Sequence, residues 1–217
     1  MYQFPSITPK LLHLLALISR LLLQILKAIQ YLFKLFRPSP VLIRFALYKC
    51  GRNFRPGLWF SVLSPKNICV GDNFSSGEFV RLQAWPSYKG KIHSTSSDVL
   101  ISIGDSVYMN NNSFISACLG VEIGSHCLIG SNVFITDNSH GSTSLVTSPR
   151  VDQPLNSKGK VVIGHNVWIC SNVVITSGCV IGSNSIVAAN SVVTGRVEAG
   201  SLYGGVPARL IRRLDFV

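Results

Sequence analysis

The chain has 217 residues, of which 47% are hydrophobic and 13% are charged, so it is long and apolar enough for a folded core and is not a disordered polymer. Ten of its 20 lysine and arginine residues precede Asp72, whereas no aspartate or glutamate does, so the net charge of +11 belongs to the N-terminal third. The rest of the chain carries nearly equal numbers of basic and acidic residues, so we predict no nucleic-acid partner. The basic N-terminal segment is predicted to bind an anionic surface.

The cysteines lack the spacing of a metal site or a redox motif. They form no CxxC pair and none has the histidine neighbours of a zinc ligand set. We expect reduced thiols in a cytosolic protein and no bound metal. The six are Cys50, Cys69, Cys118, Cys127, Cys170 and Cys179.

Residues 10–36 predict an amphipathic helix, because they are rich in leucine and free of proline and glycine, and Pro38 and Pro40 then end the helix. At about 100° per residue, the polar side chains fall on one side and the apolar ones on the other. The polar set is His13, Ser19, Arg20, Gln24, Lys27, Gln30, Lys34 and Arg37.

This helix is interpreted as lying in the plane of a membrane. A bilayer span needs about 20 mostly apolar residues, but Arg20, Lys27 and Lys34 interrupt this stretch. Packing on another subunit and a tilted span remain alternatives, whereas a signal peptide would need a cleavage site that is missing. Basic residues without acids favour the anionic cytoplasmic leaflet, so we expect residues 1–37 to bind there and the protein to be peripheral on the inner membrane.

Beyond the linker, aliphatic residues recur every six residues, which is the period of a hexapeptide β-helix. Three such units would close one coil of about 18 residues, with the aliphatic side chain inside and Asn or Gly at left-handed corners. The series is Ile103, Met109, Ile115, Ile123, Ile129, Ile135, Ile163, Ile169, Ile175, Ile181, Val187 and Val193.

Two interruptions break this register. One adds two residues near Gly120, and the other is a long excursion over about residues 141–160 that begins beside His140. Long loops that leave a rigid solenoid are often functional. Cys127 and Cys179 fall at a second inward position, so we expect them to pack in the core.

Three motifs are more specific than the repeat alone. They are Ile123-Gly-x4-Ile-x5-Ile-x4-His140, Val167-Trp168-Ile169, and the run from Gly205 to Arg212. With them, residues 99–213 resemble the left-handed β-helix O-acetyltransferases, namely the galactoside, maltose and polysaccharide O-acetyltransferases. The resemblance implies a mainly β fold: an amphipathic helical segment (1–48), a left-handed parallel β-helix of hexapeptide repeats (49–205), and a short C-terminal helix (206–217).

By this resemblance His140 is the base that removes the proton from a sugar hydroxyl as the hydroxyl attacks acetyl-CoA. The oxyanion donor of the family maps to the backbone N–H of Ser171. Asp137, three residues before His140, is a candidate to orient the imidazole. His126 and His165 sit at corners, where we expect no catalytic role.

The resemblance also implies the residues that bind acetyl-CoA. Trp168 matches the aromatic residue beside the pantetheine arm, although packing between coils is the alternative. Ala189 and Thr194 match further contacts, and Arg209 and Arg212 match the cations near the phosphates. The family's lysine is Gly195 here, so Arg196 is the candidate substitute.

On the acceptor side, Asn110 matches the asparagine that binds the sugar in the galactoside enzymes. Their acidic acceptor residue falls at Cys118, which cannot accept hydrogen bonds as a carboxylate does, so the acceptor is not predicted to be a simple galactoside. The resemblance implies a homotrimer with His140 and Trp168 meeting between subunits.

The leading hypothesis is therefore an acetyl-CoA-dependent O-acetyltransferase that modifies a sugar hydroxyl of a cell-surface polysaccharide or lipid-linked glycan precursor. Two alternatives are N-acetylation of a nucleotide-linked amino sugar and O-acetylation of serine. Both substrates are soluble and would leave the N-terminal helix unexplained. A solenoid that serves only as a binding scaffold is the non-enzymatic alternative, and it would not respond to acetyl-CoA.

Overall fold

The computed structural model describes residues 9–36, 40–94, 98–141 and 149–215. The chain divides into two compact units, residues 1–38 and residues 39–217. The first unit contains one helix, α1, which spans Pro9–Phe36 and confirms the predicted helix. Its apolar side chains are exposed where they are described, for example at Leu17, Leu21 and Ile25.

Within the described residues, no helix combines the length and apolarity that crossing a bilayer requires.

The second unit begins earlier than predicted, because a short helix, α2 (Pro40–Ala46), belongs to it. Ile43 and Leu47 are buried in the same hydrophobic core as the β-helix. The backbone N–H of Tyr48 donates to Pro65 O (3.0 Å) and Ile68 O (3.1 Å), which joins the end of α2 to the first coils. The predicted boundary after residue 48 is therefore wrong, since α2 caps the solenoid.

Three sheets form the sides of the left-handed β-helix, as predicted, and their strands are parallel except for the last strand of sheet 3. Sheet 1 contains Lys49–Cys50, Ile68–Val70, Ile101–Ile103, Val121–Ile123, Val161–Ile163, Val180–Ile181 and Arg196–Val197. Sheet 2 contains Ser61–Leu63, Arg81–Ala84, Phe114–Ala117, Phe134–Thr136, Val174–Ile175 and Val192–Val193. Sheet 3 contains Ser75–Ser76, Tyr108–Met109, Leu128–Ile129, Trp168–Ile169, Ile186–Val187, Ser201–Gly205 and Ala208–Arg213.

The predicted aliphatic series forms the interior. In sheet 2, Ile115 pairs in register with Ile135, which pairs with Ile175 in the next coil, and all three are completely buried. Stacking of identical positions from coil to coil gives a continuous apolar column, and burial of one such side chain contributes about 1.5–3 kcal/mol. Cys127 and Cys179 are buried in this core, as predicted.

The corners also follow the sequence. Asn112, Asn132, Asn172 and Asn190 have φ between 57° and 61°, in the left-handed region that asparagine tolerates. The side chains of the last three form a ladder, in which Asn132 Nδ2 donates to Asn172 Oδ1 and Asn172 Nδ2 donates to Asn190 Oδ1, both at 3.0 Å. The ladder holds successive coils together on the outside, while the aliphatic columns do so inside.

Insertions beyond the two predicted ones interrupt the coils. The longest of these follows sheet 2 at residue 85 and carries an antiparallel hairpin, Ser87–Tyr88 with Lys91–Ile92, called here the first hairpin. The long excursion contains the second hairpin, in which Ser139–His140 pairs antiparallel with Leu155–Asn156. Short 3-10 helices span Pro65–Asn67 and Arg150–Asp152.

The C-terminal segment is a strand, so the predicted C-terminal helix is wrong. Ala208–Arg213 pairs antiparallel with Ser201–Gly205 after a turn at Val206 and Pro207. The last coil of sheet 3 would otherwise leave a row of unpaired backbone groups at its edge. Pairing the final segment with that edge satisfies them, which outweighs the modest helical propensity of its leucine and arginine residues.

Candidate active site

His140 lies at the tip of sheet 2, where the chain leaves the coil for the long excursion. It pairs with Leu155 in the second hairpin, and the N–H of Gly141 donates to Pro154 O at 3.1 Å. The residue is exposed. A histidine on a braced but accessible strand can meet a substrate hydroxyl, as a general base must.

The first hairpin brings aromatic residues to His140. The Tyr88 ring lies edge-on to the imidazole with ring centroids 5.5 Å apart, and the Trp85 ring contacts Tyr88 at 5.6 Å. An ion pair between Lys89 and Asp152 (4.0 Å) joins the two insertions. Sequence reasoning missed this hairpin, although Lys89 and Gly90, both with positive φ, form the two-residue loop that joins its strands.

A cleft of about 490 Å³ opens between the two hairpins. Phe114 and Phe134, stacked at 5.2 Å on the outer surface of sheet 2, line it. The cleft therefore joins apolar ring faces to hydroxyl and amide groups within reach of His140. The complete described lining is Gln83, Trp85, Tyr88, Phe114, Ser116, Phe134, Thr136, Asn138, Ser139, His140 and Leu155.

Asp137 does not orient His140, so that prediction is wrong. The residue is completely buried, and its carboxylate accepts hydrogen bonds from the backbone N–H groups of Cys118 (2.8 Å), Leu119 (2.7 Å) and Gly120 (2.5 Å). Asn138 Nδ2 donates to it as well, at 2.9 Å. The carboxylate thus satisfies the backbone of the short insertion at Gly120, which has left the regular ladder and needs other acceptors.

Cys118 is a buried, uncharged thiol. Burial, followed by the nearby Asp137 carboxylate, raises the pKa of Cys118 to about 12. The thiolate is therefore negligible at neutral pH, and the residue can serve neither as a nucleophile nor as a substitute for an acidic acceptor residue.

Asn110 lies at the corner between sheet 3 and sheet 2, before the sheet 2 strand begins. His140 lies beyond the other end of the sheet 2 strands. The N–H of Asn110 donates to Ile129 O (2.8 Å), and its Oδ1 accepts from Asn111 N (2.8 Å). The described hydrogen bonds give Asn110 a role in the corner. Within one chain, the structure does not bring it to the predicted base.

Ser171 and Ala189 occupy that same corner in later coils. Ser171 O accepts from Asn190 N (3.1 Å), and Ser171 Oγ accepts from Ser131 N (3.3 Å). Among the described residues, none accepts a hydrogen bond from Ser171 N, which leaves this N–H available as the predicted oxyanion donor requires.

Trp168 projects from the outer face of sheet 3 and is 48% exposed, which rules out the alternative of burial between coils. It pairs in register with Leu128 of the coil before and Ile186 of the coil after. Leu128 in turn pairs with Tyr108. These side chains form an apolar ridge on the outside of the solenoid. Such a surface suits a ligand or another protein chain.

The remaining predicted cofactor residues are spread over the last coils. Thr194 follows sheet 2 and Arg196 begins the last strand of sheet 1, and both are exposed. Arg209 pairs with Gly204 and Arg212 with Leu202 on the terminal strand of sheet 3. The N–H of Gly205 donates to Ser191 Oγ (3.1 Å), which ties the arginine-bearing hairpin to the corner that carries Ala189.

Most of the predicted residues therefore lie at opposite ends of the sheet 2 strands. His140 and the aromatic cleft lie at one end, and Asn110, Ser171, Ala189 and the arginine hairpin lie at the other. Thr194 follows the last sheet 2 strand, at the His140 end, and Arg196 lies on sheet 1. A strand rises about 3.3 Å per residue, so the six steps from Asn132 to Asn138 separate the two ends of the strand by about 20 Å. The described residues contain no group of three or more His, Cys, Asp or Glu side chains that could hold a metal.

Comparison with known proteins gives two family matches. Residues 160–195 match the family described as bacterial transferase hexapeptide (six repeats), and residues 100–137 match the hexapeptide repeat of succinyl-transferase. The chain is 36% identical over 154 residues to WbbJ of Escherichia coli strain K12, whose name assigns it to lipopolysaccharide biosynthesis as an O-acetyl transferase. That match covers 69% of this chain and 73% of WbbJ.

Solved structures are similar over most of the chain. The hexapeptide-repeat acetyltransferase VCA0836 of Vibrio cholerae, complexed with acetyl coenzyme A, matches with a TM-score of 0.53 and 25% identity, covering 99% of this chain and 94% of that one. AntD, an N-acyltransferase from Bacillus cereus solved with dTDP and 3-hydroxybutyryl-CoA, matches with a TM-score of 0.65 and 20% identity, covering 83% and 90%. The latter likeness concerns the fold alone.

Proposed function

Since the chain belongs to the hexapeptide-repeat O-acetyltransferases and is an acetyl-CoA-dependent enzyme, we propose that it acetylates a sugar hydroxyl of a lipid-linked cell-surface glycan precursor. The observation that carries this proposal is the exposed His140 at the edge of a cleft lined by aromatic rings and neutral polar groups. Stacked rings suit the C–H face of a sugar, and the polar groups suit its hydroxyls.

The chain's own groups account for the reaction. Acetyl-CoA supplies the activated acetyl thioester. His140 accepts the proton of the sugar hydroxyl as that oxygen bonds to the acetyl carbon, and the Ser171 N–H donates to the developing oxyanion. When the carbon–sulfur bond breaks, His140 returns the proton to the leaving sulfur, which gives an acetyl ester and free CoA.

We propose that each active site is shared between two subunits of a homotrimer. His140 and Ser171 lie beyond opposite ends of the sheet 2 strands, and six residue steps of extended strand span about 20 Å, which is too far for one substrate carbonyl to meet both within a chain. A second copy would bring its Ser171 and Trp168 to the first copy's His140. The exposed apolar ridge around Trp168 supports this contact, and repeating it around a three-fold axis closes the assembly.

Mixed subunits test the shared site. His140→Ala and Trp168→Ala variants should each be inactive alone but regain activity when unfolded together and reassembled, because about a quarter of the sites then combine an intact His140 with an intact Trp168. Transfer of labelled acetyl groups measures the recovery. Reassembly of the His140→Ala variant with itself is the matched control. No recovery, or a monomer by light scattering, contradicts the shared site.

We further propose that α1 attaches the enzyme to the cytoplasmic face of the membrane. Its described side chains combine exposed leucine and isoleucine with exposed Arg20 and Lys27, and an interfacial helix requires this combination. Attachment would bring the solenoid to lipid-linked acceptors. An enzyme that acts on a soluble sugar nucleotide would not require such attachment.

Flotation with vesicles tests this attachment. The full chain should float with vesicles that contain phosphatidylglycerol, and a truncation that begins at Ser39 should not, since it keeps α2 but loses the helix. Arg20→Glu with Lys27→Glu should weaken flotation at low salt, because each basic residue near an anionic surface contributes about 1 kcal/mol. Equal flotation of the full and truncated chains refutes the proposal.

Acetyl-CoA binding distinguishes the enzyme from a binding scaffold. A ligand at 100 times its Kd stabilises the native state by about 2.7 kcal/mol. For a chain of this size, we expect the melting temperature to rise by about 5–10 °C. Acetate and adenosine at the same concentration serve as controls, and an unchanged melting temperature with acetyl-CoA would favour the scaffold.

A further inference from the structure

Four aromatic side chains converge beside His140 from separate parts of the chain. Trp85 and Tyr88 come from the first insertion, while Phe114 and Phe134 come from successive coils of sheet 2. These four residues are called here the aromatic cradle. The insertion at residue 85 lies outside the hexapeptide repeat, so the repeat does not explain why the rings of Trp85 and Tyr88 are there.

The rings of the cradle hold one another in place. Phe114 stacks on Phe134 with an interplanar angle of 19°, and the guanidinium of Arg81 covers the Phe114 ring, 4.5 Å from its centroid. Trp85 meets Tyr88 at 88°. Fixed rings lose little conformational entropy on binding, so such a surface is preorganised for a flat apolar ligand face.

Period-two alternation places polar groups beside these rings. In the strand Arg81–Ala84, the side chains of Leu82 and Ala84 are buried, whereas Gln83 faces outward into the cleft. Ser116, Thr136 and Asn138 also line the cleft, but they are bonded to one another: Thr136 Oγ1 donates to Asn138 O (3.0 Å), and Asn138 Nδ2 donates to Ser116 Oγ (3.2 Å). The Gln83 amide can both donate and accept, which matches the hydroxyls at the edge of a sugar ring.

The described lining of the cleft contains no aspartate, glutamate, lysine or arginine. Arg81 faces Phe114 and lines a smaller neighbouring pocket with Trp59 and Phe79 instead. An anionic group placed here would lose its hydration without gaining a counter-ion and would face the negative surfaces of the rings. The chemistry of the cleft therefore disfavours uronic acids and phosphates.

We propose that the aromatic cradle selects an uncharged sugar ring as the acetyl acceptor, holding its C–H face and directing one hydroxyl to His140. This inference rests on the proposed sugar O-acetyltransferase function. Tyr88 has a second effect, as a positioning residue, because its edge contact at 5.5 Å limits rotation of the imidazole. The first hairpin is thus the specificity element of the enzyme.

Matched methyl glycosides test the selection. In the gluco, galacto and manno series, the neutral sugar, its uronate and its 2-amino derivative are compared as acceptors of labelled acetyl-CoA at saturation. We expect at least one neutral glycoside to be acetylated with kcat/KM about tenfold or more above both of its charged counterparts.

Variants assign the preference to the cradle. Tyr88→Ala should raise KM for the neutral glycoside roughly tenfold and also lower kcat, whereas Trp85→Ala should act mainly on KM. Tyr88→Phe keeps the ring and should retain both constants. Circular dichroism and acetyl-CoA binding show whether each variant is folded.

Three results would overturn the inference. Equal or better use of uronates or amino sugars contradicts the selection of an uncharged ring, as does transfer to none of the glycosides. A preference that survives Tyr88→Ala and Trp85→Ala in folded protein removes the cradle as its cause. An oligosaccharide released from the cells' own surface glycan separates the two claims. If this oligosaccharide is acetylated while no glycoside is, the proposed function stands and the cradle inference alone fails.

Discussion

Replacing His140 by alanine should lower acetyl transfer by about 10²–10⁴-fold, or roughly 3–5 kcal/mol in activation free energy. The side chain is exposed on a short hairpin and contributes little to the buried columns of the solenoid. Melting temperature, oligomeric state and acetyl-CoA binding should therefore remain unchanged. Rates with labelled acetyl-CoA and melting curves of the same samples measure both expectations.

His126 provides the matched control for loss of a histidine. It occupies a left-handed corner with φ of 63°, where asparagine serves elsewhere in the solenoid, so His126→Asn suits the backbone. Its acetyl transfer should stay near the wild-type rate. If His140→Ala keeps more than a tenth of the wild-type rate, the base lies elsewhere, and the residues of the long excursion are the next candidates.

Replacing Asp137 by asparagine should destabilise the fold by about 3 kcal/mol, because an amide cannot accept all of the hydrogen bonds that the buried carboxylate accepts. Three of those bonds come from successive backbone N–H groups at Cys118, Leu119 and Gly120. For a chain of this length we expect the melting temperature to fall by about 10 °C. Thermal and urea unfolding measure the change.

Asp152 supplies the control of the same chemical change, since it forms an exposed ion pair with Lys89 at 4.0 Å. Asp152→Asn should cost less than about 1 kcal/mol. Below its melting temperature, Asp137→Asn should transfer acetyl groups within about tenfold of the wild-type rate. A larger loss of kcat in folded protein, without loss of stability, would instead make Asp137 the residue that orients His140.

The interior and the corners of the solenoid could be predicted because a six-residue period specifies them repeatedly. Each aliphatic position from Ile103 to Val193 stacks on its equivalents, so an error at one position would conflict with all the others. The C-terminal strand had no such support. Whether this segment forms a helix or a strand depends on the open edge of sheet 3, which no local sequence pattern reveals.

The site was only partly predictable, for a similar reason. His140 stands at the start of a visible interruption, and Trp168 and Ser171 follow from motifs within the repeat. Asp137 was misassigned because closeness in sequence suggested contact with His140, whereas the coil places its carboxylate against the previous turn of the chain. The first hairpin was not predicted, because it lies outside the six-residue repeat and only one short turn in the sequence indicates it.

The chemical bond formed by the enzyme tests the central claim most directly. The full chain is incubated with acetyl-CoA labelled in the acetyl group and with lipid-linked oligosaccharides from the cells that carry it. The glycan is then divided, and one half is treated with mild alkali, which cleaves acetyl esters but leaves acetamides intact. We expect labelled glycan whose label alkali releases, and no label with His140→Ala. Label that resists alkali would show N-acetylation instead and would contradict the account, as would the absence of any labelled glycan.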